Sequence, residues 1–358
     1  MSQFISEDVI SNGVAVTSST LTVVDTDVLV SGSTGIIDAG TDGTIRVFGT
    51  VFGTTEGIKM GDDPAVDSGH VVVIEHGGSV MGSNNAVKLS SHDGLIENHG
   101  DIFSVFIGIS FGGLGTGQST LVNTGAIRGG TTGIFCGNGT TEDIVITNSG
   151  IISGDATGFR AITGSASGDM TVTNTGQMLG DVLLSFGDDI YGGASGIVTG
   201  EVKGDIGNDR LTMGKGSEVV FGGFGNDIIA GGAGNDRISG DNGLDRMSGG
   251  TGNDVFIFSL AVDGGDRISD FSNKSGNNDH FEFDASGFGG GLVEGTLAGS
   301  QFRARADNLA QDANDRFILR TSDDSLWFDV DGKGGQAAQL IADLQNDAVV
   351  TARDIILI

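Results

Sequence analysis

The sequence predicts an all-β protein in which a right-handed parallel β-helix continues into a parallel β-roll and ends in a C-terminal β cap. Three observations lead to this fold class. Glycine accounts for 65 of the 358 residues and proline occurs once, and glycine at short intervals between apolar runs is typical of strands joined by tight turns. A phrase of 22 to 29 residues recurs through the first half. A nine-residue phrase recurs after it.

The composition limits the partners that the protein can have. The formal net charge is −29 at pH 7, which excludes nucleic acid and anionic membranes as default partners and favours cations. Cys136, the single cysteine, is interpreted as a small buried apolar residue rather than a reactive thiol. The N-terminal stretch lacks the basic and apolar regions of a secretory signal, and no apolar run reaches membrane-spanning length. The protein is therefore expected to be cytosolic or exported through another signal.

The first half is predicted to form the β-helix, with an N-terminal cap over 1–20 and coils over 21–203. Its phrase contains Asn, one residue, Gly and two residues that are often apolar, as in ITNSGIISGDATGF at 146–159. A unit this short cannot bury its apolar residues alone, but stacked coils can, because equivalent strands pair in parallel. The positions that mark successive coils are 27, 49, 78, 100, 125, 150, 176 and 200.

One column of asparagines follows from this stacking. Asn98, Asn123, Asn148 and Asn174 each precede a marker glycine by two residues. In stacked coils their amides can hydrogen-bond the turn backbone and one another. This structural ladder is preferred over the alternative, a row of sugar-binding amides.

Residues 204–257 change the period to nine. The six copies are GDIGNDRLT, MGKGSEVVF, GGFGNDIIA, GGAGNDRIS, GDNGLDRMS and GGTGNDVFI, and FGDDIY at 186–191 is an isolated earlier copy. Position six is an acidic column: Asp209, Glu218, Asp227, Asp236, Asp245 and Asp254. Position eight is an apolar column: Leu211, Val220, Ile229, Ile238, Met247 and Phe256.

This phrase has the ingredients of a calcium site. Ca²⁺ prefers six to eight oxygen ligands at about 2.3–2.6 Å, carboxylates supply charge, and glycine lets the backbone turn its carbonyls inward. Thiolates and closely spaced histidines do not occur in the segment, which disfavours zinc. The segment resembles the RTX, or haemolysin-type, calcium-binding repeat. The resemblance implies a calcium-binding β-roll over 204–257 that holds several Ca²⁺ ions.

The resemblance also implies which residues bind the ions. Loops one copy apart lie on opposite edges of the roll, and loops two copies apart stack with an ion between them. The lower loop contributes the carbonyls of positions two and four and its carboxylate, and the upper loop contributes the carbonyls of positions one and three and its own carboxylate. One site uses Gly223, Gly225 and Asp227 with Gly240, Asn242 and Asp245; a second uses Gly232, Gly234 and Asp236 with Gly249, Thr251 and Asp254; a third uses Asp205, Gly207 and Asp209 with Gly222, Phe224 and Asp227. A fourth, joining Glu218 to Asp236, departs from the pattern because Glu is longer and its loop lacks the leading glycine.

Residues 258–358 resemble the C-terminal cap of serralysin-type exoproteins. In that family the chain ends in Asp followed by apolar residues, and a type I secretion exporter reads this uncleaved end. The matching residues are Asp354, Ile355, Ile356, Leu357 and Ile358, which also fit a final edge strand. The stretch DVDGKGG at 329–335 resembles the start of an EF-hand but has Leu340 where the ligand Glu belongs, so it predicts a turn.

An enzymatic alternative depends on the β-helix, because folds of this kind often carry polysaccharide lyases, hydrolases or epimerases, and some alginate epimerases join one to RTX modules. No HExxH, GxSxG or Walker A motif occurs, so no catalytic residue is assigned. The acid and base candidates are Asp62, Asp63, His70, Glu75, His76, His92, Asp93, Glu97 and His99. Polar turn residues are the preferred interpretation of this set.

The combined prediction is a secreted, extracellular bacterial protein that folds on binding Ca²⁺ and has a structural or adhesive role. Calcium and a type I exporter are the expected partners. An extracellular polysaccharide or a cell surface is a possible additional partner. The alternative function is a polysaccharide lyase or C5-epimerase acting on the β-helix face.

Overall fold

The regular structure is almost entirely β. The computed structural model describes residues 3–5, 9–10, 13–16, 21–61, 67–112, 117–137, 141–154, 160–164, 168–193, 195–345 and 348–358. These residues contain 41 strands, three short 3-10 helices and one four-residue α-helix, which confirms the all-β prediction. The chain divides into two compact units, residues 1–201 and 202–358.

The first unit is a parallel β-helix with three ladders of strands. Each strand pairs in parallel with the equivalent strand of the next coil. The first ladder is β1 (Gln3–Ile5), β4 (Leu21–Val24), β6 (Thr44–Val47), β8 (Val71–Ile74), β11 (Leu95–Asn98), β14 (Gln118–Asn123), β17 (Asp143–Asn148), β20 (Met170–Asn174) and β23 (Ile190–Gly192). The second is β2 (Val9–Ile10), β5 (Leu29–Asp38), β7 (Thr50–Met60), β9 (Ser79–Gly82), β12 (Asp101–Ser104), β15 (Ala126–Gly129), β18 (Ile151–Gly154), β21 (Gln177–Leu179) and β24 (Ile197–Val198). The third comprises β3 (Val14–Val16), the far ends of β5 and β7, β10 (Asn85–Leu89), β13 (Ile107–Phe111), β16 (Thr132–Cys136), β19 (Arg160–Thr163) and β22 (Asp181–Phe186).

Branched apolar side chains fill the interior of the β-helix. Alternate residues of each short strand point inward, as the period of two requires. In the first ladder the inward column is Ile45, Val72, Ile96, Leu121, Ile146 and Val172, all fully buried. Cys136 lies in the same interior, and burial raises the pKa of its thiol to about 12, which confirms it as a buried residue rather than a reactive one.

The asparagine column is a buried structural ladder. The Asn98 amide donates to Asn123 Oδ1 at 2.8 Å, Asn123 to Asn148 at 2.7 Å, and Asn148 to Asn174 at 2.9 Å. The first three also donate to a backbone carbonyl of the next coil. All four side chains are fully buried, so the alternative of a sugar-binding row does not fit. The ladder ends where Asn174 donates to the hydroxyl of Tyr191.

The marker glycines stack directly over one another, with two corrections. The first predicted marker, position 27, is wrong, because Thr50 pairs with Leu29 and its N–H donates to the Val28 carbonyl, which places Val28 in the column. A methyl group on Gly125 would lie 2.1 Å from the Gly100 carbonyl oxygen, and one on Gly150 would lie 2.0 Å from that of Gly125. Such close approach excludes any side chain. The last predicted marker, position 200, is wrong, because Ile197 donates to the Gly176 carbonyl and pairs with Gln177. Gly196 therefore occupies the marker column, and it follows Gly176 by 20 residues, which is less than the predicted spacing of 22 to 29.

The second unit begins with a roll of two parallel sheets. After β25 (Glu201–Ile206), sheet A contains β26 (Arg210–Thr212), β28 (Ile228–Ala233), β30 (Arg246–Thr251) and β32 (Asp266–Ile268). Sheet B contains β27 (Val219–Phe224), β29 (Arg237–Asn242), β31 (Val255–Phe258) and β35 (His280–Phe283). Strands within a sheet are 18 residues apart through the repeats, as in Ile229↔Met247 and Val220↔Ile238. The predicted stacking of loops two copies apart is confirmed.

The C-terminal part extends both sheets around a phenylalanine core. It contains the 3-10 helices Ala261–Asp263, Gly299–Gln301 and Ala352–Asp354, the hairpin of β33 (Asn273–Lys274) and β34 (Asn277–Asn278), the helix α1 (Ala285–Phe288), and the strands β36 (Gly295–Thr296), β37 (Phe302–Arg305), β38 (Phe317–Arg320), β39 (Ser325–Phe328), β40 (Gln339–Leu344) and β41 (Ile355–Leu357). The core is Phe256, Phe258, Phe271, Phe281, Phe283, Phe288, Phe317 and Phe328, with ring centroids 4.6–6.3 Å apart. Strand β41 pairs with β35 on one side and β36 on the other. The interpretation of 351–358 as an edge strand is therefore wrong.

Candidate metal centre

Glycine shapes the loops along the edges of the roll. Gly225 and Gly234, at position four, have φ of +137° and +126°, and position two has φ of +115° at Gly223 and +102° at Gly232. A methyl group on Gly243 would lie 1.6 Å from the Gly225 carbonyl oxygen. Glycine is required here because each position-four carbonyl points at the loop two copies further along.

The position-six carboxylates form two hydrogen-bonded series, one on each edge. On one edge the N–H of Asp209 donates to Oδ1 of Asp227 at 2.7 Å, and the N–H of Asp227 donates to Oδ1 of Asp245 at 2.8 Å. On the other edge the N–H of Asp236 donates to Oδ1 of Asp254 at 2.9 Å. Asp227 and Asp236 are adjacent in the repeat but belong to different series.

The second oxygen of these carboxylates is buried and accepts no hydrogen bond from the described residues. This holds for Oδ2 of Asp227, Asp236, Asp245 and Asp254. A buried carboxylate oxygen without a partner is costly unless a cation or a proton compensates it. The loops therefore supply charge that their own hydrogen bonds do not neutralise.

Glycine at position one leaves space beside each of these oxygens. A methyl group on Gly222 would lie 2.2 Å from Asp227 Oδ2 and 2.7 Å from the Gly240 carbonyl oxygen. On the other edge, one on Gly231 would lie 2.4 Å from Asp236 Oδ2 and 2.7 Å from the Gly249 carbonyl oxygen. A carboxylate oxygen of one loop and a carbonyl oxygen of the loop two copies on thus meet at the same place. An oxygen-only donor set of this kind fits Ca²⁺.

The position-three carbonyls face the lower loop as well. Those of Phe224, Asn242 and Thr251 accept hydrogen bonds at 2.8–2.9 Å from the N–H groups of Gly207, Gly225 and Gly234. A carbonyl oxygen has two lone pairs, so one hydrogen bond leaves a second direction open at each.

Position five forms a further ladder that the sequence analysis did not assign. Asn208 Oδ1 accepts from the Asn226 N–H at 3.0 Å, and Asn226 Oδ1 accepts from the Leu244 N–H at 2.9 Å. Asn235 and Asn253 repeat the arrangement on the other edge. These bonds point from upper loop to lower loop, opposite to the position-six bonds. Together the two positions hold stacked loops in register.

Two carboxylates beyond the repeats continue the series. The N–H of Asp245 donates to Oδ1 of Asp266, and that of Asp254 donates to Oδ1 of Asp279, both at 2.9 Å. Both residues are about 1% exposed. The sequence analysis missed them because they follow their predecessors by 21 and 25 residues instead of 18. A signal was present, since Asp266 and Asp279 each precede an apolar residue by two positions, as in the repeat.

The degraded copy differs from the others at its acidic residue. A methyl group on Gly216, its position-four residue, would lie 2.1 Å from Glu218 Oε1, so the longer side chain folds back on its own loop. The Glu218 N–H still donates to Oδ1 of Asp236 at 2.9 Å. Burial, followed by the adjacent Asp236 carboxylate, raises the pKa of Glu218 to about 7.

Burial raises the pKa of other carboxylates in the two series as well. It raises the pKa of Asp227 to about 7, that of Asp254 to about 6 and that of Asp279 to about 6. The pKa of Asp266 rises to about 8, first through burial and then through the neighbouring Asp245 and Asp263. Without a cation, Asp266 and Asp227 are protonated to a substantial extent at neutral pH, whereas Asp254 and Asp279 take up protons near pH 6. The two series are therefore poised to exchange protons for a metal ion.

No group of three or more His, Cys, Asp or Glu side chains forms a metal cluster in the described part of the chain. This agrees with loops that pair carboxylates with backbone carbonyls.

The enzymatic candidates of the β-helix that the structure describes do not converge on one groove. His70 is fully buried. His92 Nδ1 lies 2.8 Å from Asp93 Oδ2 at one corner of the coil, whereas His76 and His99 have ring centroids 5.6 Å apart at another. Glu75 pairs with Arg46, and Glu97 lies on β11 with its side chain half-buried. Asp62 and Asp63 lie outside the described residues.

The fold and these loops define an all-β repeat protein with stacked carboxylate and carbonyl sites. Residues 201–229 and 221–256 match the family of RTX calcium-binding nonapeptide repeats, which the family description gives as four copies. The segment 201–256 is thus an RTX calcium-binding repeat segment. No curated protein matches the chain. In the described residues, no helix has the length and apolarity needed to cross a membrane.

Proposed function

We propose that this is a secreted calcium-binding protein whose roll folds when it binds Ca²⁺, and that it has a structural or adhesive role outside the cell. The observation that carries the proposal is that, within the described residues, the buried second oxygens of Asp227, Asp236, Asp245 and Asp254 accept no hydrogen bond. Calcium, when bound, supplies the positive charge that lets these carboxylates lie together in the interior.

The loop geometry supports the ligand sets implied by the repeat. Carbonyls of position four point to the upper loop, and carbonyls of positions one and three point to the lower loop. The proposed sites are Gly223, Gly225 and Asp227 with Gly240, Asn242 and Asp245; Gly232, Gly234 and Asp236 with Gly249, Thr251 and Asp254; and Asp205, Gly207 and Asp209 with Gly222, Phe224 and Asp227.

The continued series adds two sites to this proposal. Asp245 and Asp266 would share one ion, and Asp254 and Asp279 another, because each pair has the same backbone-to-carboxylate bond as the repeats. The pair of Glu218 and Asp236 is left out, since Glu218 folds back on its own loop.

Folding on binding follows from the charge of the series. Without Ca²⁺ the carboxylates repel one another or must take up protons, and both oppose the closed roll at neutral pH. Where calcium is scarce, as inside a cell, the segment would stay open for export. At millimolar Ca²⁺ the binding free energy becomes folding free energy. The type I exporter and residues 354–358 as its signal remain part of the proposal through the serralysin resemblance.

The single tryptophan and the single tyrosine allow a sharp test on the full chain. Trp327 lies on β39 of the second unit, and Tyr191 is buried in the first. Adding Ca²⁺ to chelator-treated protein should produce a cooperative gain in β circular dichroism together with a change in Trp327 emission. Mg²⁺ at the same concentration is the control. Identical spectra with chelator and with millimolar Ca²⁺ would disprove the proposal.

A further inference from the structure

Sheet A of the roll carries a column of arginines on its outer face. Arg210, Arg246 and Arg267 occupy position seven and are exposed. Arg210 pairs with Ile228, Ile228 with Arg246, and Arg246 with Arg267. Strands in a sheet are about 4.8 Å apart, so Arg246 and Arg267 are direct neighbours and Arg210 stands two strands away.

In the part of the chain that the structure describes, these arginines lack the carboxylate partners that six other arginines have. Within the described residues, no carboxylate lies within ion-pair distance of Arg210, Arg246 or Arg267, whereas Arg237 on sheet B makes a two-pronged pair with Glu282 at 3.0 and 2.6 Å. Arg267 donates to the neutral Gln345 side chain at 2.9 Å. Asp343 is paired in register with Arg267 and is the acidic neighbour at that end of the column.

Adjacent like charges on neighbouring strands repel each other. Arg246 and Arg267 are register partners on adjacent strands, so their charges repel each other, and an anion placed over both would relieve this repulsion. A groove of about 260 Å³ lies at the Arg246 and Arg267 end of this column, and Arg210 is not part of its lining. Its lining includes Ile228, Ala230, Arg246, Ser248, Arg267 and Ser269. It combines guanidinium groups, hydroxyls and a small apolar floor.

We propose that this groove binds a linear, carboxylated polysaccharide along the arginine column. Guanidinium groups bind carboxylates through paired hydrogen bonds, the serine hydroxyls suit sugar hydroxyls, and the single file of charges suits one extended chain. Nucleic acid is disfavoured because the described lining of the groove contains no aromatic side chain for base stacking.

The experiment measures binding of short, non-gelling oligogalacturonates to the full chain in Ca²⁺. The double variant Arg246→Gln with Arg267→Gln should weaken binding about tenfold or more, because two charge-assisted contacts are lost. The matched control, Arg128→Gln with Arg305→Gln, removes the same charge from arginines paired with Asp101 and Asp307 and should keep the parent affinity. Binding should also weaken as salt rises.

The proposal rests on a folded roll, so circular dichroism and Trp327 emission in Ca²⁺ are recorded for every variant. If the parent chain does not fold with Ca²⁺, the calcium proposal fails by itself. If it folds and binds no oligogalacturonate, or if the control weakens binding as much as the double variant, the groove proposal is overturned. Tighter binding of single-stranded DNA than of oligogalacturonate would overturn it in favour of nucleic acid, and equal binding of neutral malto-oligosaccharides would remove the role of charge.

Discussion

Gly225 shows how one residue without a side chain permits a loop to stack. Its φ is +137°, and a methyl group on it would lie 1.7 Å from the Gly207 carbonyl oxygen of the loop below. The same carbonyl geometry recurs at Gly234, Gly243 and Gly252. The backbone at these positions is therefore fixed by contact with another backbone, which no rotamer change can relieve.

The first prediction concerns this contact. Gly225→Ala should destabilise the calcium-bound roll by about 2 kcal/mol or more, because it adds both an unfavourable φ and a clash with backbone. Gly335→Ala is the control, since a methyl group there meets nothing within 4 Å. Urea unfolding in Ca²⁺, followed by Trp327 emission, measures both. Equal stability of the two variants would contradict the stacked-loop geometry.

Asp227 differs from a surface carboxylate because its two oxygens have separate tasks. Oδ1 accepts the N–H of Asp209, and Oδ2 is left for the proposed ion. Asparagine can keep the first task through its own carbonyl oxygen but supplies no charge for the second. The substitution Asp227→Asn therefore isolates the loss of a ligand from the loss of a hydrogen bond.

The second prediction follows from this division. Asp227 belongs to two proposed sites. Asp227→Asn should therefore remove about two bound Ca²⁺ ions, or lower the Ca²⁺ affinity of both sites by about tenfold or more. Asp101→Asn is the control for charge, because Asp101 is exposed on the β-helix and paired with Arg128. Isothermal titration calorimetry with Ca²⁺ gives both stoichiometry and affinity. An unchanged titration for Asp227→Asn would show that Asp227 binds no ion.

At the scale of elements, the repeat pattern predicted the two sheets and the stacking but not where the series ends. The apolar column was readable because every copy has the same length, and it continues through Ile268 and Phe281. The insertions before Asp266 and Asp279 broke the period, so a search for nine-residue copies stopped at 257. In the β-helix, the coil between Gly176 and Gly196 has only 20 residues, so the usual spacing placed the predicted marker at 200 instead of 196. Changes in loop length therefore put these residues out of step with the repeat period. Strand pairing restores the register after each change, so the residues still lie in the same columns.

The third prediction tests the continued series. Asp266→Asn and Asp279→Asn should each remove about one bound Ca²⁺ ion, because each residue ends its series and serves one proposed site. Asp343→Asn is the control, as it lies on β40 outside both series. Equilibrium dialysis with Ca²⁺ measures the count. If neither variant differs from the parent, the ions are confined to the nine-residue copies.

At the scale of the whole molecule, charge and pH decide the state of the calcium-free chain. Buried carboxylates have raised pKa values in the folded roll, with Asp266 at about 8 and Asp227 at about 7, against an ordinary value of about 3.9 for aspartate. Between these values the folded state holds more protons than the unfolded state. The free energy of unfolding of the calcium-free roll therefore decreases as the pH rises from about 4 to about 8.

The fourth prediction is that Ca²⁺ stabilises the protein least at the acid end of this window and most at its alkaline end. Binding requires ionised carboxylates, so adding Ca²⁺ near neutral pH should release protons, and fewer should appear above about pH 8, where the groups are already ionised. Urea unfolding across the window, with chelator and with Ca²⁺, measures the first effect through Trp327, and a pH indicator in weak buffer measures the second. The Tyr191 signal from the first unit is the internal control, because the carboxylate series lie in the second unit. A calcium-free roll that becomes more stable as the pH rises from about 4 to about 8 would contradict the raised pKa values of these carboxylates. It would mean that the buried carboxylates are neutralised within the protein itself.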